Sequence, residues 1–79
     1  MILTIFSLNK IEYKDEVMGL NVKTKSGEIT VLSGHRPLVS VLNKCTAQIL
    51  TKDNKKILFE IKSGFLEMGG DNRLSLLVD

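Results

Sequence analysis

The stretch KILFEIK, residues 56–62, indicates the fold class of this chain. Ile57, Phe59 and Ile61 alternate with charged residues, and Leu58 is the one exception. Because successive side chains of a β-strand point to opposite faces, a period of two residues predicts a strand with one buried and one solvated face. A helix would instead repeat its apolar residues every three or four positions.

The same alternation recurs along the chain, and turn-forming residues separate the apolar stretches. Three hairpins are predicted, with turns at 25–27, 52–55 and 69–72. Their strands are Met18–Lys23 with Glu28–Leu32, Cys45–Ile49 with Lys56–Lys62, and Phe65–Met68 with Arg73–Val78. Further strands are predicted at Ile2–Ser7, Ile11–Tyr13 and Leu38–Leu42, with a loop at Ser33–Pro37.

Many short strands without helices between them predict an all-β fold, in which antiparallel sheets pack face to face or close as a barrel. We favour the β-sandwich. Leu32, Leu38 and Leu42, together with the alternating apolar residues, are expected to fill its core. The 79 residues are 43% hydrophobic and 25% charged, so residues 1–79 are expected to form one domain around one core.

Composition also limits the function classes. The net charge is only +2 and the two signs are interleaved, which is a weak signal for nucleic-acid binding. No apolar run approaches the ~20 residues of a membrane-spanning helix, and the opening residues do not resemble a signal peptide. A lone Cys45 cannot form an internal disulfide, which favours a reducing compartment.

No catalytic residue, cofactor site or metal site is predicted. His35 lies in a loop bracketed by Gly34 and Pro37, and the sequence offers it no motif that would supply a nucleophile or an orienting carboxylate. Cys45 begins an alternating strand, where a free thiol usually behaves as a small buried hydrophobe. A small enzyme that uses His35 and Cys45 therefore lacks a third catalytic group.

A second alternative is a small nucleic-acid-binding β-barrel. The densest basic stretch comprises Lys52, Lys55, Lys56 and Lys62, which we interpret as an exposed strand edge because lysines there discourage pairing with other molecules. The three phenylalanines fall within apolar patterns, so the exposed aromatics that stack on bases are not expected.

Three segments, residues 27–42, 63–67 and 76–79, together resemble the N-terminal domain of the ATP synthase epsilon subunit. The longest is GEITVLSGHRPLVSVL, residues 27–42, which is similar to the family's Gly-Glu, apolar strand and Pro-Gly-His-Ala-Pro-Leu. SGFLE at 63–67 and LLVD at 76–79 resemble Gly-Gly-Phe-Leu-Glu and Val-Leu-Ala-Asp in the same order and spacing. Departures are Ser33 for a proline, Arg36 for a small residue, and residues 43–45 for Lys-Pro-Gly.

The resemblance implies a flattened sandwich of two antiparallel sheets. It also implies that the domain has a non-catalytic role in the rotor. The family's domain sits at the foot of the central stalk, bound to the gamma subunit and resting on the c-ring, where it helps to couple proton translocation to ATP synthesis. By position, Glu28 matches the acidic residue that faces the c-ring. His35, Ser7 and Ser40 match positions at the gamma interface.

The resemblance also implies a peripheral location, with membrane association only through the complex. The Met1 start without a transit peptide favours a bacterial source, and hence the cytoplasmic face of the inner (plasma) membrane. No nucleic-acid partner is expected. Family members continue past the β domain into a two-helix segment that can inhibit ATP hydrolysis and in some cases binds ATP. The sequence stops at Asp79, where that segment would begin. We therefore expect no ATP binding by these residues.

Overall fold

The computed structural model describes all 79 residues, which form eight strands and no helix. The strands are β1 (Ile2–Ser7), β2 (Lys10–Thr24), β3 (Gly27–Leu32), β4 (Leu38–Leu42), β5 (Cys45–Thr51), β6 (Lys56–Ile61), β7 (Gly64–Met68) and β8 (Arg73–Val78). The all-β prediction is confirmed, and the three predicted hairpins form as β2–β3, β5–β6 and β7–β8. No segment is a helix long and apolar enough to span a bilayer.

Two layers of strands make up the fold, and β2 belongs to both. In the first layer, the N-terminal half of β2 pairs with β1, and the order continues through β8 and β7 to β4. In the second layer, the C-terminal half of β2 lies between β3 and β5, and β3 and β6 are the two edge strands. All pairs are antiparallel except β1 with β8, and hydrogen bonding through β2 joins both layers into one continuous sheet.

Strand β2 must bend, because a straight strand of its length does not fit the molecule. Its 15 residues would extend for about 50 Å at ~3.3 Å each, whereas the longest dimension of the fold is 26 Å. The bend coincides with a bulge between Val17 and Gly19, where the register with β5 shifts. The two strands predicted in this region are therefore one. Met18, predicted to share the buried face of Leu20, is instead 45% exposed.

The core contains 15 buried apolar residues, contributed by both layers. They are Met1, Leu3, Ile5, Val17, Leu20, Val22, Val31, Leu42, Ala47, Ile49, Ile61, Leu66, Met68, Leu74 and Leu76. The core position of Leu42 is confirmed, and Leu38 packs against the core partly buried. The prediction for Leu32 is wrong: Val31 is the inward residue of β3, so Leu32 points outward and is 53% exposed. Its side chain covers Gly19, where an added Cβ would lie 2.8 Å from Leu32 Cδ2.

Asparagines carry positive backbone angles in three turns, and the first is Asn9, with φ 71° between β1 and β2. Asn54 has φ 66° between β5 and β6, and Asn72 has φ 63° between β7 and β8. Asparagine tolerates this region because its short side chain can bond locally. Gly69 and Gly70 also lie in the β7–β8 turn, but neither adopts a positive φ.

The connections gather at two ends of the sandwich. One end, which we call the Glu28 end, contains the β1–β2 turn, the β2–β3 turn and the final residue of β8. Phe6, next to the first turn, pairs with Leu77 near the end of β8. The Lys25 N–H in the second turn donates to Val41 O on the neighbouring strand β4 over 2.9 Å. At the His35 end, the loop Ser33–Pro37 leads into β4 beside the β7–β8 turn. The two ends are separated by the length of β8, about 17 Å for its six residues.

Candidate partner-binding surface

Glu28 is the second residue of β3, and its exposed carboxylate is held in place by a neighbour on β2. Asn21 Nδ2 donates to Glu28 Oε2 over 3.0 Å and lies 2.9 Å from Thr30 Oγ1. Across the strand pair, Glu28 faces Lys23. The carboxylate is therefore oriented but still open to solvent, which suits contact with a polar partner.

His35 lies in the exposed loop between β3 and β4. Its backbone N–H donates to Leu32 O over 3.0 Å, and its ring Nδ1 lies 2.8 Å from Arg36 O. Because a carbonyl only accepts, a hydrogen bond there places the ring proton on Nδ1 and leaves Nε2 free to accept. In this tautomer the imidazole presents its Nε2 acceptor to a partner.

Ser7 and Ser40 occupy different environments. Ser7 ends β1, and its hydroxyl donates to the Glu12 carboxylate. Ser40 is the central residue of β4 and alternates with exposed Val39 and Val41, which places it on the opposite face of the strand. Both serines are half-buried. The side chain of Ser40 therefore points away from the outer face of the first layer.

The four predicted partner residues do not form one cluster. Ser7 and Glu28 lie toward the Glu28 end, His35 lies at the opposite end, and Ser40 lies between them on β4. A partner that contacts both Ser7 and His35 must therefore extend along most of the first layer.

A row of apolar side chains, not predicted from the sequence, crosses the outer face of the first layer near Ser7. We call it the apolar row: Val41, Phe65, Leu77, Phe6 and Ile11, which are successive register partners on five neighbouring strands. Phe65 is 55% exposed and Leu77 is 58% exposed. Phe65 was expected to be shielded within an apolar pattern, and its outward position corrects that expectation.

The apolar row opens into a depression at the β1–β2 turn. This depression has a volume of about 940 Å³, and its lining includes Phe6, Ser7, Leu8 and Leu77. Leu8, at the turn, is 85% exposed. Consecutive apolar residues such as those at 76 and 77 were the available sequence signal, because one of two neighbours in a strand must face outward.

All Asp, Glu, Lys, Arg and His residues of the chain are exposed. Three ion pairs are present, all at the surface, the shortest being Arg73 Nε to Asp71 Oδ2 at 3.4 Å. Burial, followed by the charges of Asp15 and Asp53, raises the pKa of Tyr13 above 10.0. No three His, Cys, Asp or Glu side chains approach one another closely enough to hold a metal ion. Cys45 is a free, half-buried thiol.

The basic stretch lies where an edge was predicted. Lys56 begins β6, which is an edge strand of the second layer, and Lys62 follows its last residue. Lys55 Nζ lies 3.9 Å from Asp53 Oδ2 in the adjoining turn. These lysines project from an edge and a turn, as expected of residues that keep a strand from pairing with other molecules.

These features define a class: a small all-β domain with an exposed apolar row and oriented polar groups at two ends. The model of one family, the ATP synthase delta/epsilon chain β-sandwich domain, matches residues 1–79. The chain therefore belongs to this family. The family description also agrees with the predicted sandwich.

Individual relatives support the assignment. The ATP synthase epsilon chain of Clostridium kluyveri is 34% identical over 77 residues, which are 98% of this chain and 58% of the relative. The epsilon chain of Cutibacterium acnes is 29% identical over 73 residues, 92% of this chain and 50% of the relative. The chain thus spans between half and three fifths of the length of these curated relatives.

A solved structure has the same fold. A chain in the mitochondrial ATP synthase of Euglena gracilis, determined with OSCP, F1 and the c-ring, superposes with a TM-score of 0.92 at 25% identity, over 99% of this chain and 49% of that one. The resemblance to the epsilon family is confirmed. Both of these relatives are named as epsilon chains of an ATP synthase.

Proposed function

We propose that residues 1–79 act as the rotor domain of an ATP synthase epsilon subunit, linking the gamma subunit to the c-ring and so coupling proton translocation to ATP synthesis. The observation that carries this proposal is the apolar row beside Ser7, in a chain of the epsilon family. A partner that covers exposed apolar side chains gains ~25 cal/mol per Å². A small domain held between two larger partners is also stabilised by them.

The gamma subunit is proposed to cover the outer face of the first layer. Ser7 adjoins the apolar row at one end of that layer, and the His35 loop projects at the other. Contact along this length brings the apolar row and two polar residues, Ser7 and His35, into one interface, and specific interfaces usually combine apolar and polar contacts in this way.

The c-ring is proposed to meet the Glu28 end. The carboxylate of Glu28 is oriented by Asn21, so little side-chain entropy is lost when a polar loop binds it. In this arrangement the domain lies at the cytoplasmic face of the inner membrane and touches the membrane only through the complex. The domain carries no reaction, because its role is to fasten stalk and ring together.

Separate binding measurements test the proposal. Glu28→Gln should weaken binding to the purified c-ring by about 5- to 100-fold and leave gamma binding intact, and His35→Ala should do the reverse. Glu60→Gln is the matched control, since Glu60 is another exposed strand carboxylate that accepts from a cross-strand neighbour, the Thr46 hydroxyl. The free energy of unfolding of each free variant, measured by thermal melting, should stay within about 0.5 kcal/mol of the parent.

Two results would contradict the proposal. If Glu28→Gln and Glu60→Gln bind the c-ring equally well, Glu28 is not a ring contact. If either variant melts much lower while its binding is unchanged, the residue serves the fold rather than an interface.

A further inference from the structure

Asn72 connects three separate parts of the His35 end. Its side-chain Oδ1 accepts the Gly34 N–H over 2.8 Å, and its Nδ2 donates to Ser33 Oγ over 3.0 Å. Its backbone carbonyl accepts the N–H of Ile2 at 3.3 Å. One half-buried residue therefore joins the β7–β8 turn to the His35 loop and to the start of β1.

The loop that Asn72 holds has little else to fix it. All residues from Ser33 to Pro37 are exposed, so no core packing anchors their side chains. Gly34 has φ 82°, a conformation in which glycine is not strained. The remaining backbone bonds are local to β2 and β3: Ser33 N–H to Met18 O and His35 N–H to Leu32 O. The hydrogen bonds that connect the loop to the first layer are the two side-chain bonds of Asn72.

Asn72 is itself a firm support. The turn that carries it is closed by the Gly69 N–H donating to Arg73 O over 2.9 Å. The residues that follow enter β8, where Leu74 and Leu76 are fully buried. The backbone of Asn72 thus continues into a strand with buried residues, while its side-chain amide binds the exposed loop.

We infer that Asn72 is a positioning residue, which holds the His35 loop in the conformation in which it meets the partner of this domain. The inference rests on the proposed function, because that function assigns His35 to an interface. A loop held in its bound conformation loses less entropy on association, so its partner binds more tightly. Ser33 stands where the resembling family pattern has proline, and its hydroxyl makes one of the two bonds.

The test uses Asn72→Gly, with Asn54→Gly as its matched control. Both asparagines sit in hairpin turns at positive φ, and glycine tolerates both sites without strain. The two variants therefore change backbone entropy alike, but only Asn72→Gly removes side-chain bonds to the loop. A third variant, Asn72→Asp, keeps the acceptor for the Gly34 N–H and loses the donor to Ser33.

The first readout is amide hydrogen exchange in the free domain. Exchange at Gly34 should accelerate by about tenfold or more in Asn72→Gly, and should be unchanged in Asn54→Gly and nearly unchanged in Asn72→Asp. Unaltered exchange in Asn72→Gly would overturn the inference, whatever the partner of the domain is.

The second readout is affinity for the purified gamma subunit. Asn72→Gly should bind about 5- to 10-fold more weakly, and adding it to His35→Ala should produce no further loss, because its effect passes through the loop. Parental affinity in Asn72→Gly, or an equal loss in the His35→Ala background, would contradict positioning. If His35→Ala alone binds normally, the gamma assignment of His35 fails instead, and with it the role of Asn72 in binding.

Discussion

Replacing Phe65 with alanine tests the apolar row at its most exposed aromatic residue. Phe65 is 55% exposed, so a partner covering it removes about 100 Å² of a side chain that offers roughly 200 Å². At ~25 cal/mol per Å² this corresponds to about 2.5 kcal/mol, or about 60-fold in affinity. The substitution also removes the packed part of the ring and lowers the free energy of unfolding by at most about 2 kcal/mol.

The assay measures two quantities for each variant: the affinity for the gamma subunit well below the melting temperature, and the denaturant midpoint of the free domain. Leu58→Ala is the control, because Leu58 is 66% exposed on the edge strand β6 and lies outside the apolar row. We expect Leu58→Ala to retain its affinity. Affinity of Phe65→Ala within twofold of the parent, or an equal loss in Leu58→Ala, would refute the assignment of this face to the gamma subunit.

Three further outcomes concern the fold. Leu76→Ala, at a fully buried core position, should destabilise the domain by about 3 kcal/mol in urea unfolding, and a change below about 1 kcal/mol would show that the site is not packed as described. Because the pKa of Tyr13 is raised by burial and then by Asp15 and Asp53, the folded domain favours the neutral phenol. The stability that this contributes is present below pH ~10 and is lost as the pH rises through the folded pKa, so Tyr13→Phe should flatten the alkaline decline seen in melting curves. Half-buried Cys45 should react with a thiol reagent more slowly in the folded domain than in urea, and equal rates would place it at the surface.

The strands and hairpins could be predicted from local sequence because alternation is a property of the backbone itself. Side chains of a strand point to alternating faces whatever the strand pairs with, so KILFEIK indicates a half-buried strand before any partner is known. The prediction failed at Met18, where one extra residue in a bulge changes which side chains face inward. It failed again at Leu32. Either Val31 or Leu32 could have faced the core, and the register with β2 places Val31 opposite buried Leu20.

The candidate partner-binding surface could likewise be predicted only in part from the sequence. The resemblance alone pointed to Glu28, His35, Ser7 and Ser40, but it could not say that His35 and Ser7 lie at opposite ends of one layer. The apolar row could not be predicted from the sequence either. Its five residues come from five strands, and only strand pairing places them next to one another.

Asn72 shows the limit most clearly. In the sequence it is one of several turn-forming residues, and its partners Ser33 and Gly34 lie 39 and 38 positions earlier. Alternation and turn chemistry act over a few residues, so the sequence by itself determined the strands, the hairpins and the fold class. Which side chains meet across the sheet depends on the register of strands distant in the chain, and that was decided only by the packing of the two layers around their common core.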